Sequence, residues 1–142
     1  MYQKDYILRM IEMIADLVAG ILGLIREGRL TQASQTLDNA YQEFLKKDAS
    51  LFRNIPAEKL TETLLSEHNY TGGHLRILSE LYFAEAELQL AKGKNKNSLE
   101  YYQKALVLFE FAEKVARSFS VDTQSRISVI KEKISHLKQP AP

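Results

Sequence analysis

Two stretches of the chain, 24-LIREGRLTQASQTLDNAYQEF-44 and 89-QLAKGKNKNSLEYYQKALVLF-109, match when one is shifted by 65 residues. Gly28 then falls on Gly93, Ala33 on Ser98, Leu37 on Tyr102, Ala40 on Ala105 and Phe44 on Phe109. Each matched position has a physical role. Glycine turns the chain between two antiparallel helices, and the small residues let those helices approach closely. The large residue fills the space beside them. A chain carrying this pattern twice is expected to build two tight helix pairs.

The surrounding periodicity agrees. Ile7, Met10, Ile11, Ile14, Leu17, Val18, Ile21, Leu24 and Ile25 recur at three- and four-residue spacing and predict a first helix over 3–27, ended by Gly28. Thr31 suits the N-cap of a second helix over 32–47, with Ala33, Leu37, Ala40, Tyr41 and Phe44 inward. Asp48 to Ile55 reads as irregular, and Pro56 fits the first turn of a short third helix over 57–66. The segment 67-EHNYTGGH-74 predicts a loop, because adjacent glycines are costly inside a helix. A fourth helix over 74–92 stops at Gly93, a fifth covers 96–117, and Ser120 caps a sixth over 121–138. Residues 139–142 read as a frayed tail. No strand-like alternation occurs, so the expected fold is all-α, six helices in one domain spanning 1–138. A plain helical bundle is the alternative arrangement.

The glycine–small–large–alanine spacing resembles the tetratricopeptide repeat, a helix-turn-helix unit of 34 residues. The likeness is best from Leu90 to Ala105, through Gly93, Ser98, Tyr102 and Ala105, and fair from Ile21 to Ala40, through Gly28, Ala33, Leu37 and Ala40. It departs from that family in lacking Trp, in having Glu110 where a helix-ending proline is expected, and in its 65-residue spacing. As a whole the chain also looks like a bacterial family of small helical proteins with no assigned activity. The repeat resemblance implies a concave groove lined by first helices. Its positions would be Ala15, Val18, Leu22, Ile25 and Arg26 in one unit, and Glu80, Phe83, Glu87, Leu90 and Ala91 in the other. An apolar floor edged by Glu80 and Glu87 suits an apolar or basic helical segment of a protein partner. The short third helix could instead fill that groove.

Composition removes other functions. The net charge is +1 with no dense basic field, so nucleic acid is not an expected partner. With no cysteine there is no disulfide framework, thiol nucleophile or Cys-based zinc site, which suits a cytoplasmic protein. Asp5, Arg9, Glu12 and Asp16 interrupt the apolar N-terminal run, and its longest uncharged stretch, Leu17–Ile25, is nine residues. A spanning helix needs about 20. Neither a signal peptide nor a membrane anchor is expected.

Glu67, His68 and His74 form the one cluster that looks like a metal or acid–base site, the basis of a metal-dependent enzyme as a rival function. A helical zinc site wants two histidines about four residues apart on one face; here they are six apart across Gly72-Gly73. Hydrogen bonding by Asn69, Thr71 and His74 at a helix start is the simpler role. No catalytic residue, metal ligand or cofactor is assigned. The first helix carries surplus apolar surface in Met13, Ala19, Leu22 and Gly23, which a second copy of the chain could cover. The expected function is therefore a non-enzymatic protein-interaction module, with a homodimer built on the first helix as the alternative.

Overall fold

In the computed structural model, which describes residues 2–116 and 121–139, every regular element is helical. Helix α1 (Tyr2–Arg26) turns into α2 (Leu30–Leu45), and after a linking segment α5 (Gly72–Ala91) turns into α6 (Asn95–Ala116). The link holds α3 (Ala49–Arg53) and a composite turn: a 3-10 turn at Ala57–Lys59, α4 (Leu60–Glu62) and a π turn at Thr63–Glu67. Helix α7 (Val121–Lys138) closes the chain. The expected Ser120 cap and the last three residues of the expected tail, 140–142, lie outside the described residues.

The two turns matched in sequence have one geometry. Gly28 and Gly93 both adopt φ +77°, which only glycine enters without strain. At the first, Gly28 N–H donates to Ile25 C=O and Arg29 N–H to Leu24 C=O. At the second, Gly93 N–H donates to Leu90 C=O and Lys94 N–H to Gln89 C=O. Both are Schellman closures, which satisfy carbonyls that a helix end would otherwise leave open. The second helix of each pair then starts at once, with Ala33 N–H donating to Arg29 C=O and Ser98 N–H to Lys94 C=O. This corrects the expected start of the second helix. The chain leaves the closure already in helical register, so α2 begins at Leu30 and Thr31 lies inside it rather than capping it.

Helix α5 occupies the centre. It packs against α1, α2 and α6, and α7 packs against α6. Apolar residues occupy its whole circumference, Leu75, Ile77, Leu78, Leu81, Tyr82, Phe83, Ala84, Ala86 and Leu88 all being buried. The matched small residues sit where the helices meet: Ala33, Ala40, Ser98 and Ala105 are buried, with Leu37 and Tyr102 filling in beside them. Ser98 spends its hydroxyl across the α5–α6 interface, donating to Ala86 C=O at 2.8 Å.

Two parts of the link differ from expectation. Asp48–Ile55 is not irregular, because the Asp48 carboxylate accepts from Ser50 N–H at 2.8 Å and starts α3. The chain thus has seven helices among the described residues, not six. Gly72 and Gly73 are not loop but the first turn of α5. Thr71 and His74 form a reciprocal cap there, Thr71 N–H donating to His74 Nδ1 at 3.1 Å and His74 N–H to Thr71 Oγ1 at 3.5 Å. Glycine is needed at 73 because a Cβ there would collide with the Ile7 side chain of α1.

The exposed mid-helix Gly20 has no such reason, since nothing lies within 4 Å of where its Cβ would be. Gly20→Ala should therefore raise unfolding stability by about 1 kcal/mol through helix propensity. Gly73→Ala should lower it by about 1–3 kcal/mol through overpacking against Ile7. Urea titration followed by circular dichroism checks both signs.

Candidate functional site

Three charged or polar constellations emerge, and their surroundings separate structural roles from a site open to a ligand. The first is centred on a buried carboxylate. Glu85, its side chain 2% exposed, accepts from Arg53 Nε at 2.6 Å and from Tyr41 Oη at 3.2 Å. Arg53 also reaches Asp38 Oδ1 at 2.5 Å and lies over the Tyr41 ring. Lys104 Nζ donates to Arg53 C=O at 3.0 Å and faces the Tyr82 and Tyr101 rings, while Tyr82 Oη donates to Phe52 C=O. Burial pushes the Glu85 carboxyl up against the pull of Arg53, and burial holds the Lys104 ammonium down. Each group here answers another from α2, α3, α5 or α6, so the cluster fastens helices together.

The second constellation is the Glu67–His68–His74 segment. His74 Nδ1 is engaged by Thr71, and the rings of His68 and His74 both pack against Tyr70, at 6.1 and 4.9 Å between centres. Tyr70 in turn donates to Leu45 C=O at 2.6 Å. These histidines fix the entry to α5, and among the described residues no group of three or more His, Cys, Asp or Glu could hold a metal ion.

The third lies on the opposite face of α5 from Glu85. Arg76, Glu80, Phe83 and Glu87 follow at four-, three- and four-residue steps and so share one side of the helix. Against that side, α1 contributes Ala15 and α7 contributes Ser125, Arg126 and Val129, enclosing with Arg76 and Glu80 a groove of about 330 Å³. Arg126 grips Glu80 through one guanidinium edge, Nε to Oε1 at 3.1 Å and Nη2 to Oε2 at 3.2 Å, and covers the Phe83 ring at 4.1 Å. Bidentate geometry of this kind fixes α7 on α5 as well as neutralising the acid. Ile127 and Ile130 bury beneath α7, and Gln124 donates to Glu113 of α6.

The expected groove positions separate accordingly. Ala15 and Glu80 line the groove, whereas Val18 and Phe83 are buried and not part of an open floor. Leu22, Ile25 and Leu90 are half-buried, and Arg26 and Ala91 are exposed. Glu87 is taken up by the Tyr102 hydroxyl. The acidic rim expected from Glu80 and Glu87 therefore has partners already, and among the described residues the guanidinium of Arg76 in the groove has no carboxylate. The linking segment does not fill the groove, since the 3-10 turn and α4 pack on α6 and α3 packs on α2. Of the surplus residues on the first helix, Met13 and Ala19 are exposed, while Leu22 and Gly23 are half-buried, Leu22 against the core.

Sequence reasoning missed Arg76, Arg126 and Glu85. A signal existed only for Glu85, a carboxylate inside a helix apolar all round, which has to find a buried partner. Arg126 meets Glu80 across 46 residues, and no local spacing encodes that.

Comparison with known proteins adds a family and no chemistry. A family model described as "Family of unknown function (DUF6483)" matches residues 1–117. No curated protein and no solved structure matches the chain.

The capping role of His74 has a pH signature. Nδ1 must be unprotonated to accept from Thr71, and burial holds the imidazole below its ordinary value. A folded-state pKa below the unfolded one means that this stabilisation is present above about pH 6.5 and is lost as pH falls through the folded value. Wild type should lose about 1 kcal/mol between pH 7.5 and 5 relative to His74→Gln, the value of a cap. Denaturant titrations of both proteins at the two pH values measure it.

Proposed function

The chain belongs to this family of unknown function, and we propose that it acts as a non-enzymatic protein-interaction module whose groove between α1, α5 and α7 takes a peptide segment of a partner. The observation that carries this is the groove itself: three helices from three parts of the chain leave a concavity of about 330 Å³ with mixed apolar and charged walls. A tetratricopeptide-like arrangement gives it a rationale. The α1–α2 and α5–α6 pairs have the same glycine closure, α5 rests on both helices of the preceding pair, and α7 follows as a closing helix. In such an array the first helices face a common side, and α1, α5 and α7 are those helices. No helix of the described residues is long and apolar enough to cross a membrane, and the cysteine-free composition suits a cytoplasmic setting.

A display library of random dodecapeptides selected on the whole chain tests the groove. Selected peptides should bind wild type at micromolar concentration and lose at least about tenfold on Ala15→Trp, which occupies the groove from a solvent-facing position. Equal binding to both proteins would move the function elsewhere.

A second reading, a homodimer built on α1, is favoured by one observation. Tyr6, Leu8 and Met13 are 56%, 51% and 50% exposed, three large apolar side chains on the outer half of one helix. This shifts the expected dimer surface towards the N-terminus, away from Leu22 and Gly23. Sedimentation at micromolar concentration should then give a dimer that Met13→Glu dissociates without loss of helix; a wild-type monomer of 16.3 kDa ends the reading.

A further inference from the structure

Among the described residues the groove holds two guanidinium groups and one carboxylate, and their pairing is incomplete. Arg126 and Glu80 satisfy each other through two hydrogen bonds. Arg76 stands one turn before Glu80 on the same face of α5 and makes no ion pair with any described residue. Its Nε is buried with no hydrogen-bond acceptor, and its guanidinium carbon lies 5.9 Å from the centre of the Phe109 ring. A buried N–H of a charged group with no acceptor among the described residues carries a desolvation cost. The ring face orients the guanidinium but accepts no strong hydrogen bond.

Glu80, both of whose oxygens are held by Arg126, makes no hydrogen bond to Arg76. Because that pair is neutral overall, the groove keeps one positive charge, on Arg76. Beside it stand the apolar walls of Ala15 and Val129 and the hydroxyl of Ser125. That combination matches a carboxylate on a short aliphatic stem. With Nε itself out of a ligand's reach, the two Nη groups present parallel donors to two carboxylate oxygens, and the stem lies against the apolar walls. We infer that the segment held in this groove is acidic and that Arg76 reads a glutamate side chain of the partner. The inference rests on the peptide-binding reading above and reverses the preference that unpartnered Glu80 and Glu87 would have given.

Fluorescein-labelled hexaglutamate and hexaglutamine, titrated by anisotropy onto the whole chain, separate the two claims. Hexaglutamate should bind, and hexaglutamine should bind roughly tenfold more weakly, the worth of a charge-assisted hydrogen-bond pair. Arg76→Met should bring hexaglutamate down to the hexaglutamine level while melting at the same temperature as wild type or higher, since it removes an unsatisfied buried donor. Should Arg76→Met fail to fold, Arg76→Lys keeps the charge, loses the fork and should still weaken hexaglutamate selectively. Unchanged hexaglutamate affinity in a folded Arg76 variant overturns the assignment and makes Arg76 structural. If both peptides bind equally and Ala15→Trp abolishes both, the groove reading stands and the acidic preference falls. If neither peptide binds, the acidic preference falls, and the groove reading is decided by the dodecapeptide selection alone. Displacement of hexaglutamate by equimolar inorganic phosphate would assign the site to a free anion and overturn the peptide carboxylate.

Discussion

Burying the Glu85 carboxylate in the middle of α5 obliges the rest of the chain to come to it. An unpaired ion at that depth is untenable, so Arg53 and Tyr41 must arrive from α3 and α2 with hydrogen-bonding geometry. Arg53 then needs its own backbone carbonyl answered, and Lys104 of α6 does so. One charge thereby ties four helices. The link between the helix pairs is held in place by the same requirement: α3 is short, and its hold on the core comes from Phe52 stacked on Tyr41 and from Arg53.

This division of α5 into two faces makes a site possible. On the side of Tyr82 and Glu85 the link, α2 and α6 bury both side chains. On the side of Arg76 and Glu80 the neighbours are α1, which packs closely on α5, and α7, which reaches it through Arg126, and a gap is left between the two. Charge partition differs in the same way. Around Glu85 every ion has a partner, whereas in the groove the Arg126–Glu80 pair is complete and Arg76 is not. A half-buried cation left without a carboxylate is where the fold tolerates cost, and binding is the simplest gain that could offset it.

Helix identity and turn position were legible in the residues because both are local. Three- and four-residue spacing marked α1, α2, α5, α6 and α7, and the glycines at 28 and 93 marked the closures that turn one helix into the next. The matched small residues at 33, 40, 98 and 105 were legible as contact points for the same reason. The short link was less so. Asp48 starts a helix of only five residues, too short for periodicity to register, and the Gly72-Gly73 pair reads as loop unless one knows that Ile7 lies against it.

What the sequence determined by itself is therefore an all-helical chain with two glycine-turned helix pairs. Those properties depend on dihedral preference and on side-chain periodicity within one helix. What only the tertiary structure decided is which charges meet. Glu80 looks like an acidic rim in the sequence and is a neutralised anchor for α7 in the fold, while Arg76 looks like one surface arginine among several and is the unanswered cation of the groove. Ion pairing depends on distances between residues 46 positions apart, and those exist only after the helices have packed.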